Sequence, residues 1–166
     1  MVDPMCQKFS DKEKQQFYIA VIGGGTAPPP ILALAQAVGA AIAQRGGILI
    51  CGGLGGVMEA AAQGASEAGG VAIGILPGPD RQAANPFLTY SLVTNLGHAR
   101  NIIIAHTASG LIAVDGSYGT ISEAAIALKL GKPVVGLQVG WHLPGIIAAT
   151  TPQEAVTRLW QALGDG

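Results

Sequence analysis

Short apolar runs alternate along this chain with longer segments of helical spacing. Residues 18–22 (YIAVI) form an unbroken apolar run that stops at Gly23-Gly24-Gly25, the pattern of a strand buried on both faces. Pro28, Pro29 and Pro30 follow, and a first helical turn tolerates proline because its N–H groups need no helical partner. Ile31, Leu34, Ala35, Val38 and Ile42 then keep helical spacing until Arg45-Gly46-Gly47. A second strand over 48–51 runs into Gly52-Gly53-Leu54-Gly55-Gly56, and a helix over 57–68 closes at Gly69-Gly70. A third strand over 71–76 ends at Pro77-Gly78-Pro79, and a longer loop covers 77–90. The pattern next predicts a short strand over 91–94, a helix over 97–106 and a strand over 111–114. That strand runs into Asp115-Gly116-Ser117-Tyr118-Gly119-Thr120, followed by a helix over 121–130, a stop at Gly131-Lys132-Pro133 and a strand over 134–137. The last helix opens on Thr151-Pro152-Gln153-Glu154: a cap, a proline and a reciprocal acid.

This alternation predicts an α/β, three-layer Rossmann-like fold, a mostly parallel sheet with helices on both faces. Residues 1–16 are polar and charged and read as a flexible N-terminal arm; residues 17–166 read as a single Rossmann-like ligand-binding domain. Right-handed crossovers bring the glycine-rich segments 23–26, 52–56 and 116–120 to one edge of the sheet, where ligands of such folds bind.

Composition sharpens the picture. Charged residues make up only 11% of the chain, less than half the usual share of about 25%. The helices over 57–68 and 121–130 are rich in alanine and nearly uncharged all round, so we expect some of their faces to meet another subunit in a homo-oligomer, a dimer or a tetramer. A net charge of -1 argues against nucleic-acid binding through a basic surface. No run approaches the roughly 18 apolar residues of a membrane span. Two cysteines, Cys6 and Cys51, give no disulfide framework, and the expected compartment is cytoplasmic.

Glycine lets the backbone approach a ligand closely, and the N–H groups that open the next helix carry partial positive charge. Together they form an anion site, most often for phosphate. The dinucleotide fingerprint fails in detail: Pro28 stands at its sixth position and Cys51 where an acid should hold the ribose, so NAD is not expected. There is no Gly-Lys-Ser/Thr, and His98, His106 and His142 form no metal-ligand spacing. Lys129 and Lys132 sit by a helix stop, which gives no setting for a Schiff base, and PLP is not expected. Ser117 directly follows Gly116 and is not a nucleophile elbow; it reads as a donor to an anion. Arg100 is a rare cation in an apolar helix, either paired with Glu123 or Asp115 or clamping an anion; the loops nearby favour the clamp. Glu123 ends Thr120-Ile121-Ser122-Glu123, which fits a capping box; its active reading is a general acid/base or an acceptor for a ribose or pterin. Spacing favours the cap.

Together, Gly23–Thr26, CGGLGGVME over 51–59, Leu76-Pro77-Gly78, Ala99-Arg100-Asn101, DGSYGTISE over 115–123 and ALKLGKPVVGL over 127–137 resemble the Lonely Guy-type Rossmann superfamily, whose members often carry the label "possible lysine decarboxylase". One branch hydrolyses the N-glycosidic bond of cytokinin riboside 5'-monophosphates, with a P-G-G-x-G-T-x-x-E run and an upstream Arg-Lys. Arg100 and Glu123 match its catalytic Arg and Glu, while Asp115, Ser117 and Asn101 replace its Pro, Gly and Lys, and Ser122 stands where a second Glu is common. A shorter branch, the molybdenum cofactor carrier proteins, resembles this chain more in its G-S-Y-G-T run, its length and its short 127–137 connection. That resemblance implies a homo-oligomeric carrier or store for molybdenum cofactor, or a similar phosphorylated ligand, without turnover. Molybdoenzymes or cofactor-biosynthesis proteins would be its partners. It implies a phosphate site at Gly116, Ser117, Tyr118, Gly119 and Thr120 with Arg100, and a crevice lined by Gly24, Thr26, Gly52 and Gly53. A phosphoribohydrolase using Arg100 and Glu123 and a nucleotide-sensing module are the alternatives.

Overall fold

The computed structural model describes residues 16–164; the arm expected over 1–16 lies, but for Gln16, outside the described residues. Strands β1 (Tyr18–Gly23), β2 (Ile48–Cys51), β3 (Ala72–Leu76), β4 (Tyr90–Val93), β5 (Gly110–Val114), β6 (Val134–Leu137) and β7 (Ile147–Ala149) form one sheet. Its order is β4-β3-β2-β1-β5-β6-β7, and every neighbouring pair is parallel. The helices are α1 (Pro29–Gln44), α2 (Val57–Glu67), α3 (Arg100–Thr107), α4 (Tyr118–Lys129) and α5 (Pro152–Ala162).

Alternate residues of each strand serve opposite layers. Ile19 and Val21 of β1 pack with α1, α2 and α5, whereas Ala20 and Ile22 pack with α3 and α4. The three-layer α/β architecture read from the sequence is therefore the observed one. The chain builds outward from β1 through β2, β3 and β4, then returns to β1's other side with β5, and Gly23 pairs with Val114 there. The reversal opens a crevice above the carboxyl ends of β1 and β5, the place where open α/β sheets bind ligands.

Beyond one-residue shifts at several element ends, among them the start of the short strand at Tyr90, the structure differs from the sequence expectations in the following places. β7 was not foreseen, because three residues after Pro144-Gly145 are too short to show periodicity. The helix expected over 97–106 is a 3-10 turn, Gly97–Ala99, followed by α3. Most consequentially, α4 starts at Tyr118 with Ser117 as its N-cap, so Thr120 and Glu123 lie inside the helix and the expected capping box does not form.

The alanine-rich α2 owes its neutrality to its neighbours within the chain. Gly39 of α1 and Gly64 of α2 let the two backbones touch: a Cβ at Gly39 would stand 1.9 Å from the Ala61 carbonyl oxygen, and one at Gly64 1.9 Å from that of Gln36. α2 is thus sandwiched between α1 and the sheet. At the C-terminal stop of α4, Lys132 Nζ donates to the carbonyls of Ala105 (2.8 Å) and His106 (2.5 Å), tying the ends of α3 and α4 together. α5 has its expected cap, with Thr151 Oγ1 accepting from the Glu154 N–H at 3.1 Å. The reciprocal carboxylate reaches one residue further back than expected, accepting from the Thr150 N–H and hydroxyl at 2.8 Å each. No helix among the described residues is long and apolar enough to cross a membrane.

Candidate functional site

The loops after β1, β2 and β5 meet as the fold rule requires, but they contribute differently. A crevice of about 170 Å³ is lined by Gly23, Gly24 and Gly25, by Gly52 and Met58, by Ser117, Gly119, Thr120 and Glu123, and by His98, Arg100 and Asn101. Its volume is below the roughly 300 Å³ of an ordinary small-ligand pocket. It can bury one end of a ligand and leave the remainder at the open rim.

Of the three helices that follow the glycine-rich turns, α1, α2 and α4, only α4 keeps all of its opening N–H groups without a backbone acceptor. At α1, Pro29 and Pro30 have no N–H to offer, and the Ile31 and Leu32 N–H groups already donate to the Pro28 carbonyl at 3.0 and 3.1 Å. At α2, the Val57 N–H donates to the Gly24 carbonyl at 3.0 Å, and Glu59 adds a negative charge to the first turn. At α4 the first helical bond runs from the Ile121 N–H to the Ser117 carbonyl at 2.9 Å. The N–H groups of Tyr118, Gly119 and Thr120 precede it and have no helical acceptor. No side chain caps that end and no acid stands in its first turn. Its partial positive charge is therefore uncompensated.

Arg100 opens α3 beside this end. It is 8% exposed, and its Nη2 donates to the Gly52 carbonyl at 3.3 Å while Nη1 donates to Asn101 Oδ1. Its Nε has no partner. Burial lowers the guanidinium's pKa, with the nearby Glu123 opposing the effect. Such a buried cation with an idle donor suits an anion. Asn101 Nδ2 reaches Ser122 Oγ at 3.5 Å, and that hydroxyl donates to the Gly119 carbonyl at 2.7 Å. Two of the four departures from the hydrolase pattern, Asn101 and Ser122, are thus a contacting pair that links α3 to the first turn of α4.

Glu123, one helical turn beyond Thr120, is 7% exposed. Burial pushes its carboxyl up to about 7 against the opposing pull of Arg100. It faces the crevice because α4 starts early, which places this side chain against α3. Cys51 lies fully buried beneath, its thiol raised to about 11 by burial, and is therefore protonated and unreactive near neutrality.

Of the residues singled out in the sequence, Gly24, Gly52, Arg100, Ser117, Gly119, Thr120 and Glu123 line the crevice together. Thr26 is exposed and outside the lining. Tyr118 is 89% exposed and outside the lining. Gly53, at φ 79°, packs against Leu76, where a Cβ would come within 2.5 Å. Gly116, at φ 91°, closes over Thr120, where a Cβ would come within 2.2 Å of the hydroxyl oxygen. Its contribution is to let Thr120 sit beneath it. His98 and Met58 line the crevice without having been singled out: His98 read as a surface histidine, and nothing in the pattern distinguished Met58 from a core residue. No group of three or more metal-ligating side chains is present among the described residues.

The fold is of the Lonely Guy-like, Rossmann type. The structure is similar to the molybdenum cofactor binding protein from the phototrophic bacterium Rippkaea orientalis, with a TM-score of 0.84 and 34% identity over 89% of this chain and 98% of that one. It is similar also to the molybdenum cofactor carrier protein of Chlamydomonas reinhardtii, with a TM-score of 0.81 and 36% identity over 90% of this chain and 99% of that one. An uncharacterized protein of Archaeoglobus fulgidus is 48% identical over 83% of this chain and 91% of its own length. The SLOG cluster4 family model matches residues 16–162, and the chain belongs to that family.

Proposed function

We propose that this protein binds and carries molybdenum cofactor, or a closely similar phosphorylated pterin, without turning it over. The observation that carries the reading is the free N-terminus of α4 beside the idle Nε of Arg100, in a chain similar to two molybdenum cofactor proteins. The terminal phosphate takes the N–H groups of Tyr118, Gly119 and Thr120 together with the guanidinium, and the Ser117 hydroxyl adds a donor. Gly24 and Gly52 keep the wall bare so that the adjoining ring can lie against Met58 and Ile22. The rest of the cargo rests at the open rim, where a second copy of the chain would cover it in a homo-oligomer. A recipient molybdoenzyme or a cofactor-biosynthesis protein would meet the same rim.

One observation favours a second reading. Glu123 caps nothing and faces the crevice beside Arg100, the two groups a nucleoside 5'-monophosphate phosphoribohydrolase would use, with Glu123 stabilising an oxocarbenium ion. Two assays separate the readings. Purified protein should carry molybdenum, or protect the cofactor from oxidation and restore a cofactor-free molybdoenzyme. Incubation with nucleoside monophosphates should release no free base; release that disappears in Glu123→Ala would establish the hydrolase instead.

A further inference from the structure

Arg100 and Glu123 face one crevice from α3 and α4 without touching. Among the described residues the ion pair within 4.0 Å is Glu154 with Arg158, not these two. Arg100 keeps an idle Nε, and burial and the charge of Arg100 are the influences on the Glu123 carboxyl, with no hydrogen bond among them. Two buried groups of opposite charge that do not bond to each other, on either side of a cavity, leave a gap that a guest can fill.

We propose that the crevice takes up its anionic guest together with one proton, which Glu123 holds while donating a hydrogen bond to an acceptor on the guest. This inference rests on the anion-binding reading above and makes Glu123 a specificity-determining residue. An ionised carboxylate only accepts hydrogen bonds and repels an oxyanion; the neutral acid donates one. With Glu123 neutral, the crevice has the full charge of Arg100 and the free amides of α4; with Glu123 ionised, the two side chains cancel. By linkage, a guest that disfavours the ionised acid is itself bound more tightly when the acid is protonated. The guest that fits carries an oxyanion at the start of α4 and a hydrogen-bond acceptor, such as a ring nitrogen or carbonyl, one helical turn away.

The other groups around Glu123 leave it this part. α3 brings Arg100, the 3-10 turn brings His98, and β2 brings Cys51, whose buried thiol stays protonated. β1, β5 and β6 carry no charged residues; β1's Tyr18 stands at the far end of the sheet, and Asp115, after β5, lies outside the crevice lining. Burial places the acid's midpoint at about 7, so the proton is available near neutrality.

The test follows glutamate carboxyl ¹³C signals of the full chain, assigned with Glu123→Gln, between about pH 5 and 9, with and without sulfate at constant ionic strength. Sulfate mimics the oxyanion and does not titrate in that range. We expect saturable sulfate binding and a Glu123 midpoint raised by about one unit or more at saturation, equivalent to sulfate binding about tenfold weaker at the alkaline end. Glu123→Gln should bind sulfate equally at both ends, and His98→Gln should keep the tenfold dependence. Saturable binding with an unmoved Glu123 midpoint overturns this inference alone. No saturable response at any pH overturns it together with the anion-binding reading.

Discussion

The helices α2 and α4 follow similar sequences and begin in opposite ways. Each comes after a strand and a glycine-rich turn, and each turn contributes to one crevice. At α2 the chain answers itself in part: the Gly24 carbonyl takes the first of three opening N–H groups, Glu59 stands against the dipole, and a Cβ at Gly56 would strike Gly24 O at 2.3 Å. At α4 nothing answers, and Arg100 adds charge beside three free amides. Glycine-rich turns are therefore not interchangeable evidence for anion binding. Around α2 the glycines allow backbone to pack on backbone, while around α4 they leave the opening amides bare.

Removing the acid from the α4 side should give the largest effect, on stability. Burial raises Glu123 from 4.5 in the unfolded chain to about 7 in the folded one, so the folded chain binds its proton more tightly. This contribution is fully present below about 4.5, is lost as pH rises toward 7, and above that leaves a penalty of order 3 kcal/mol. Glu123→Gln should be more stable than the parent by up to about that amount at pH 8, with the gain vanishing at pH 4, in urea unfolding. Identical pH profiles for the two chains would show that the carboxyl is not buried as described.

Next in size, Arg100→Ala should weaken binding of a phosphorylated ligand by roughly fifty-fold, the loss of a charge-assisted contact of about 1.5–3 kcal/mol. An affinity within twofold of the parent would remove Arg100 from the site. On the α2 side the expected damage is to the fold and not to the ligand. Gly39→Ala places a methyl against the Ala61 carbonyl and should cost about 1–3 kcal/mol of stability with the affinity of the folded protein unchanged. A calorimetric titration of the folded fraction checks the second half of that statement.

Two smaller effects sharpen the contrast between the helix starts. Tyr118→Pro gives α4 what α1 already has at Pro29 and Pro30, a first turn that lacks an N–H yet breaks no helical bond. It should keep the melting temperature and weaken phosphate binding by about tenfold. Glu59→Gln removes the acid of α2 and should change affinity by less than about twofold, because the Val57 N–H is already taken. Equal effects of the two substitutions would erase the distinction drawn between the helices.

Much of this was legible in the sequence, and the remainder failed for identifiable reasons. Unbroken runs such as 18–22 and 111–114 fix buried strands, and right-handed crossovers put their following turns on one edge whatever the loops contain. Arg100 stood out because an isolated cation in an apolar helix needs a reason to be there. The start of α4 was misread because Thr120-Ile121-Ser122-Glu123 satisfies a local capping rule, whereas tertiary packing decides: Thr120 is buried beneath Gly116, and Glu123 is drawn against α3. The Asn101–Ser122 contact joins residues on different helices and leaves no periodic trace. The closed start of α1 and the partly closed start of α2 were half visible, since proline lacks an N–H and Glu59 sits in a first turn, but the Gly24–Val57 bond requires the fold.

In the proposed carrier the first turn of α4, beside Arg100, receives the phosphate. Titrating ¹⁵N-labelled protein with a phosphate monoester and following the backbone amides tests it most directly. The amides of Gly119 and Thr120, with that of Tyr118, should shift downfield together and saturate, while Val57 and Met58 stay still. Saturable shifts centred on Val57 and Met58, or none at either helix, would contradict it.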